Sequence, residues 1–207
     1  MKQLIYTLSL MLIGFLLINM TADRAVVGPV IGERAPDFEV ADAYGNVHSL
    51  SDFEGSYVIL EWLNHDCPFV RKHYDAGNMQ RLQEKYTEMG VVWLSVISSA
   101  PGTQGHLEPE AARAITAEKN AGPTAVLLDP DGTMGRSYDA RVTPHMYIIS
   151  PDGTLEFNGA IDDRPTARIG DVEGAHNFVE AAMSSLMNGE EVAVRINTPY
   201  GCTVKYE

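Results

Sequence analysis

Four apolar runs alternate with segments of helical character, and this alternation limits the folds open to the chain more than any other feature. Strands that are buried on both faces have near-continuous apolar runs, whereas half-exposed strands alternate apolar and polar residues. The runs are SYVILEWLN (56–64), VVWLSVIS (91–98), PTAVLLD (123–129) and PHMYIIS (144–150). Strands that alternate with helices predict an α/β fold, with helices on both faces of a sheet that contains parallel strands.

Helical patterns fill the intervals between these runs. One extends from Cys67 to Met89, is broken near residues 75–78, and is stopped by Gly90. We expect an additional helix around residues 108–121 and a last helix over residues 173–189, where apolar residues from Ala175 to Met187 recur at helical spacing. A turn at residues 44–46 predicts an N-terminal hairpin, and TLEFNGAID (154–162) is expected to pair back on the strand before it.

The first residues have the pattern of a targeting segment. Lys2 precedes an almost wholly apolar run from Leu8 to Ile18, which is typical of a secretory signal and short for a membrane span of about 20 residues. We expect residues 1–22 to be a signal peptide or an uncleaved N-terminal membrane anchor, and residues 23–32 to be a linker. Either alternative places the domain at 33–207 outside the cytoplasm, in the periplasm or secreted.

Composition excludes some classes of partner. The formal net charge of −13 disfavours nucleic acid, since an acidic surface repels phosphate backbones. The six histidines are scattered rather than placed at metal-ligand spacing, so we expect no metal site. The two cysteines are too few for a disulfide-dense scaffold, although an extracytoplasmic compartment permits disulfides.

Cys67 is the residue with the clearest chemical potential. It follows an apolar strand and opens a helix, where unpaired backbone N–H groups and the positive end of the helix dipole stabilise a thiolate. The thiolate is the nucleophilic form of cysteine, and Pro68 suits a first helical turn. His65, Arg71 and His73 lie close in sequence and could add positive charge, which Asp66 would oppose. We therefore predict that Cys67 is a redox-active thiol.

The motifs and their order resemble the redoxins, which include the alkyl hydroperoxide reductase and thiol-specific antioxidant family. The resemblance is carried by APDFEVADAYGNVHSLSDFEG (35–55), by the strand-Cys-helix unit with CPFV (67–70), by VTP (142–144), and by the tail GCTVKY (201–206). It covers about residues 33–207. It implies an α/β thioredoxin-like sandwich of redoxin type, with an N-terminal hairpin and an inserted helix.

The resemblance implies roles for several residues beside Cys67. Glu61 matches a buried acid that passes protons to and from the thiols of thioredoxins. Pro144 matches a cis-proline beside the nucleophile, and Thr143 before it offers backbone hydrogen bonds to substrate. Arg141 would hold a peroxide or stabilise the thiolate.

The sequence also departs from the patterns of these families. Peroxiredoxins carry Pro-x-x-x-Thr/Ser-x-x-Cys, but Leu60 stands at the proline position and Asn64, a polar candidate for substrate binding, at the hydroxyl position. Disulfide reductases carry Cys-x-x-Cys, and here Val70 replaces the second cysteine. The remaining thiol, Cys202, lies in the family-like tail and is a candidate resolving cysteine.

We therefore expect a thiol-dependent oxidoreductase with peroxiredoxin-like antioxidant activity, in which Cys67 attacks a peroxide or a disulfide. An external thiol reductant, either a thioredoxin-like protein or a small thiol, would regenerate it, and no organic cofactor is implied. Two alternatives stay open. One is an envelope thiol-disulfide reductase or isomerase, and the other is a non-enzymatic thioredoxin-fold binding module.

Overall fold

The computed structural model describes residues 28–207. The expected leader at 1–22 and the first half of the expected linker, residues 23–27, lie outside these residues. Within the described part of the chain, no helix is both long enough and apolar enough to cross a membrane.

The described residues contain nine strands and five α-helices. The strands are β1 (Glu39–Ala41), β2 (Val47–Ser49), β3 (Val58–Trp62), β4 (Val92–Ile97), β5 (Ala125–Leu128), β6 (Val142–Thr143), β7 (His145–Ile149), β8 (Leu155–Gly159) and β9 (Cys202–Thr203). The helices are α1 (Pro68–Asp75), α2 (Asn78–Glu88), α3 (Pro109–Glu118), α4 (Thr133–Ser137) and α5 (Phe178–Met187).

A mixed five-stranded sheet in the order β5-β4-β3-β7-β8 forms the centre of the domain. Strand β3 pairs in parallel with β4 and antiparallel with β7, and β7 and β8 form the expected antiparallel hairpin. Strands β1 and β2 form the predicted N-terminal hairpin, and α3 is the predicted inserted helix. The α/β fold expected from the apolar runs is confirmed.

Each face of the sheet is covered by its own hydrophobic core. Alternate residues of β3 point to opposite faces, so that Ile59 lies in the core beneath α1, α2 and α5, whereas Leu60 and Trp62 lie in the core beneath α4 and the hairpin. Cys67 belongs to the first of these cores. Burial of each large apolar side chain contributes about 1.5–3 kcal/mol.

The C-terminal part differs in detail from the sequence-based expectation. Helix α5 begins at Phe178, several residues after the start of the apolar pattern. The side chain of Asn177 accepts a hydrogen bond from the Glu180 amide at 2.9 Å and caps the helix there. The expected helical position of Ala175 is therefore wrong, because the capping residue follows it.

Candidate active site

Strand β3 and helix α1 together fix the position of Cys67. The chain leaves β3 at Trp62 and turns, and the Cys67 amide donates to the carbonyl oxygen of Asn64 at 2.9 Å. Cys67 is the N-cap residue of α1, with Pro68 in the first turn, and its own carbonyl accepts from the Arg71 amide at 2.9 Å. The thiol therefore lies at the N-terminal end of a helix, as the sequence predicts. The residue is 0% exposed.

Thr143 lies across from Cys67. The Cys67 thiol donates a hydrogen bond to the carbonyl oxygen of Thr143 at 3.2 Å. The Thr143–Pro144 peptide bond is cis, as the resemblance implies. Both residues are buried or nearly so. The structure thus places these two predicted site residues beside the predicted nucleophile.

The C-terminal tail, residues 197–207, brings the second cysteine to the same place. Strand β9 pairs antiparallel with β6, and Cys202 lies directly opposite Thr143. Opposed residues in such a pair have Cα atoms about 4.5–5.5 Å apart. The Thr143 hydroxyl donates to the Cys202 carbonyl at 3.4 Å. Cys202 therefore neighbours the residue that contacts the Cys67 thiol, and both cysteines are free.

The environment of Cys202 differs from that of Cys67. Burial, and next the neighbouring Cys67 thiol, raise the pKa of the Cys202 thiol to about 12. At neutral pH Cys202 is therefore protonated. A protonated thiol is a poor nucleophile. The site therefore combines one thiol at a helix N-terminus with a second, protonated thiol beside it.

Gly201 allows the tail to approach this closely. Its φ of 142° lies in a region that residues with a side chain rarely adopt. A Cβ atom at this position would overlap the carbonyl oxygen of Thr143, the same oxygen that accepts from Cys67. Glycine is thus required immediately before Cys202.

Glu61 is fully buried below the site, in the core that contains Cys67. Its carboxylate accepts from four side chains at 2.8–3.1 Å, namely Tyr74, Gln83, Trp93 and Ser95. Burial raises the pKa of Glu61, and these hydrogen bonds oppose that effect in part. None of the four partners is a thiol, so a proton-relay role for Glu61 stays a prediction.

Asn64 and Arg141 lie in different surroundings from each other. Asn64 is buried in the turn before Cys67, and its side-chain oxygen accepts from the Asp66 amide at 2.8 Å. The side chain of Arg141 is 76% exposed and pairs with Asp139 at 2.8 Å. The structure therefore shows Arg141 engaged at the surface by Asp139. This ion pair does not favour the expected role of Arg141 toward a peroxide, and a substitution of Arg141 tests that role.

The basic residues near Cys67 do not supply the expected positive charge. Burial lowers the pKa of both His65 and His73 to about 4, so both are neutral at pH 7. The side chain of Arg71 is 60% exposed and lies 4.0 Å from Asp75. The expectation of a positive cluster is wrong because burial removes the charge of the two histidines and the arginine faces solvent.

Sequence reasoning missed a buried polar cluster next to the thiols. Lys72, His73 and Asp162 are at most 3% exposed and meet the hydroxyl of Tyr200 from the tail. The only sequence signal was two adjacent polar residues on a helix whose other buried positions are apolar or aromatic. Nothing in the sequence connects them to Asp162 or to the tail.

Comparisons with known proteins identify the family and agree with the fold. The model of the AhpC/TSA family matches residues 31–158. A crystal structure of an uncharacterized conserved protein from Geobacillus kaustophilus is 26% identical, with 86% of this chain and 93% of that chain covered and a TM-score of 0.73. No curated protein matches the chain significantly.

Two further structures carry thiol-disulfide names. A protein from Chlorobium tepidum, proposed to be a thiol:disulfide interchange protein DsbE, is 27% identical over 63% of this chain and 85% of that chain, with a TM-score of 0.52. The thioredoxin domain of a thiol-disulfide oxidoreductase from Bacteroides vulgatus is 22% identical over 70% of this chain and 96% of that chain, with a TM-score of 0.50. The family match spans more than half of the chain, and the chain therefore belongs to the AhpC/TSA family, with a thioredoxin-like fold.

Proposed function

We propose that the protein is an extracytoplasmic thiol-dependent oxidoreductase that reduces a small oxidant, a hydroperoxide or a low-mass disulfide, through the pair Cys67 and Cys202. The observation that carries this proposal is the position of Cys202, directly opposite the residue whose carbonyl accepts from the Cys67 thiol. The apolar run at residues 8–18 supports the extracytoplasmic location.

Cys67 is the attacking thiol in this proposal. It lies at the N-terminus of α1, where the first-turn amides of Phe69 and Val70 have no intrahelical acceptor. The Cys67 thiol accepts no capping hydrogen bond from these N–H groups in the reduced protein, and we propose that they stabilise the negative charge that develops on the sulfur, and on an oxygen beside it, during the reaction. Cys202 is the resolving thiol in this proposal. Its raised pKa keeps it protonated, and it reacts only after Cys67 has been oxidised.

With a hydroperoxide, the Cys67 thiolate attacks one peroxide oxygen and the O–O bond breaks. The products are a sulfenic acid on Cys67 and an alcohol, or water when the substrate is hydrogen peroxide. The sulfur of Cys202 then attacks Sγ of Cys67 as its proton leaves, and the hydroxyl departs as water. Two electrons have passed from the two thiols to the peroxide, and a Cys67–Cys202 disulfide remains.

With a disulfide, the Cys67 thiolate attacks one sulfur and releases the other as a thiol, which leaves a mixed disulfide on Cys67. Cys202 attacks Sγ of Cys67 and releases the second thiol. The product is the same intramolecular disulfide. An external dithiol, the expected partner, reduces it by two exchange steps and restores both cysteines.

The burial of Cys67 favours a small substrate. The residue has no exposed surface, and the tail crosses beside it. A hydroperoxide or a low-mass disulfide can approach such a thiol with a smaller displacement of the tail than a folded protein needs. The absence of a Thr or Ser at position 64 removes one hydroxyl that peroxiredoxins use, and backbone amides of α1 would have to serve instead.

A second candidate is a reductase or isomerase for protein disulfides. The likeness to the Chlorobium tepidum protein favours it. In this case the tail must leave β6 before a protein substrate can bind there. The third alternative, a binding module without redox activity, predicts two thiols that stay inert toward oxidants.

The proposal is tested by steady-state turnover with a dithiol reductant and four oxidants: hydrogen peroxide, cumene hydroperoxide, oxidised glutathione and insulin. We expect turnover of a small oxidant by the wild type, none by Cys67→Ser, and trapping of a sulfenic acid by dimedone in Cys202→Ser. Turnover of insulin alone would favour the second candidate. Absence of reaction with all four oxidants would overturn the proposal.

A further inference from the structure

A closed cluster of buried polar groups joins helix α1 to the C-terminal tail. Lys72 and His73 lie on α1, the helix that Cys67 caps, and Tyr200 lies two residues before Cys202. Asp162 follows β8 and completes the cluster. Buried charges are costly unless they are paired and hydrogen-bonded, so a cluster of this kind requires a physical explanation.

The hydroxyl of Tyr200 is the centre of the cluster. It donates to Oδ1 of Asp162 and accepts from Nζ of Lys72 at 3.1 Å. His73 supplies a third bond: because Asn78 Nδ2 donates to Nδ1 of His73 at 3.0 Å, the proton of the neutral ring lies on Nε2, which donates to the Tyr200 hydroxyl at 3.2 Å. One hydroxyl thus uses its donor and both of its acceptor positions.

Lys72 is satisfied to the same degree. Its ammonium group contacts Oδ2 of Asp162 at 3.2 Å, the carbonyl oxygen of Arg164 at 2.7 Å and the hydroxyl of Tyr200 at 3.1 Å. These three acceptors match the three donors of an ammonium group. The Tyr200 hydroxyl is therefore an integral partner, and the cluster is complete only when the tail is in place.

The cluster holds the tail at Tyr200, before Cys202, whereas the pairing of β9 with β6 holds it from Cys202 onward. After Cys202 the tail is fixed by main-chain bonds, from Val204 to the Arg141 carbonyl and from Ala100 to the Lys205 carbonyl. Before Cys202, the side-chain bonds of Tyr200 reach α1 itself, and its ring packs edge-on against Phe69 with centroids 5.8 Å apart.

We infer that Tyr200 is a positioning residue, which holds Cys202 against Cys67 by fastening the tail to the helix that carries the attacking thiol. This inference rests on the proposed function, since it assigns how the resolving thiol is kept in place. A tie to α1 matters because small displacements of a reacting group reduce the rate and the equilibrium of an intramolecular step strongly.

The first test measures the effective concentration of the two thiols. The folded protein is equilibrated with reduced and oxidised glutathione, and the fraction with an intramolecular disulfide is counted by mass spectrometry. We expect Tyr200→Phe, which keeps the ring, to lower the effective concentration by about tenfold. Tyr57→Phe is the matched control, because Tyr57 is also half-buried and its hydroxyl donates to a carbonyl far from the thiols, that of Leu186.

A second test does not depend on disulfide formation. In a Cys202→Ser background Cys67 is the only thiol, and its alkylation by iodoacetamide reports how firmly the tail covers it. We expect Tyr200→Phe to accelerate this alkylation by about tenfold, and Tyr57→Phe to leave it unchanged.

The two tests separate the two claims. If the wild type forms the disulfide but Tyr200→Phe matches it, the positioning role is overturned and the proposed function stands. If the wild type forms no disulfide, the proposed function fails, and the alkylation rate alone then supports or overturns the role of Tyr200. Should Tyr200→Phe not fold, Phe69→Leu removes the ring contact without touching the buried charges, and we expect a fall of about threefold in the effective concentration; an unchanged value would overturn the inference.

Discussion

The thiol of Cys67 donates to the carbonyl oxygen of Thr143 at 3.2 Å. Cys202 lies opposite Thr143 in the same two-residue strand pair, so one residue contacts both members of the proposed redox pair. The strand pair explains how a chain without Cys-x-x-Cys can still bring two thiols together. The second cysteine comes from the far end of the sequence instead of the next turn of the helix.

Oxidation is expected to stabilise the fold. A Cys67–Cys202 disulfide would close a loop of more than about 100 residues, and in the chain-entropy model this raises the free energy of unfolding by up to about 5 kcal/mol. Urea unfolding of the oxidised and the reduced protein measures the difference. An oxidised protein that is less stable than the reduced one would show that the disulfide distorts the native packing.

Gly201→Ala is expected to push the tail away from β6. A Cβ atom would overlap the Thr143 carbonyl oxygen, and the backbone angle at this position disfavours any side chain. We expect disulfide formation to slow by about tenfold or more, because Cys202 is displaced. Gly55→Ala is the control, since Gly55 also has a positive φ but a Cβ atom there would meet nothing. Equal rates in the two variants would contradict the close approach.

Glu61→Gln is expected to change how stability depends on pH. Burial in the folded protein raises the pKa of Glu61 above its ordinary value of 4.5. The folded state is therefore more stable when this carboxyl group is protonated than when it is ionised. The contribution of protonated Glu61 to the free energy of unfolding is fully present below about pH 4.5 and is lost as the pH rises through the raised pKa of the folded protein. Glutamine cannot ionise, so the variant should lack this decline.

The same variant should be less stable at low pH. An amide nitrogen in place of one carboxyl oxygen would face a hydrogen-bond donor, at a cost of about 1–3 kcal/mol. Unfolding by urea between pH 4 and pH 8 measures both effects. A wild type and a variant with parallel pH profiles would show that Glu61 does not titrate in this range. If the rate of Cys67 alkylation keeps its pH profile in the variant, the proton-relay role fails.

Arg141→Ala is expected to leave turnover within about twofold of the wild type, because the side chain is mostly exposed and is occupied by Asp139. The measurement is the rate of hydroperoxide reduction with each variant. A large loss of rate would show that Arg141 leaves Asp139 and reaches the substrate, as the family resemblance implies.

The sequence predicted the fold well because its signals are local. The apolar runs around β3, β4, β5 and β7 identify buried strands, and Gly90 marks the end of a helix. The placement of Cys67 at the start of α1 could be predicted for the same reason. The late start of α5 was missed, since the capping bond of Asn177 competes with an apolar pattern that begins earlier.

The arrangement around the thiols could not be predicted in the same way. The contact of Tyr200 with Lys72 joins residues from distant parts of the chain, and neither residue has a local signature for it. The charge state of His73 depends on how deeply it is buried, which sequence proximity to Cys67 does not reveal. The pairing of the tail with β6 involves only two residues, too few for a strand pattern.

The most direct test of the account is a non-reducing peptide map of the protein after reaction with one equivalent of hydrogen peroxide or of diamide, with Cys202→Ser as control. A disulfide requires Cα atoms about 4.4–6.8 Å apart. Cys67 and Cys202 both lie beside Thr143, so we expect this requirement to be satisfied. The account predicts that the peptides containing Cys67 and Cys202 are recovered linked to each other from monomeric protein. Two free thiols, or a link formed only between chains, would contradict it.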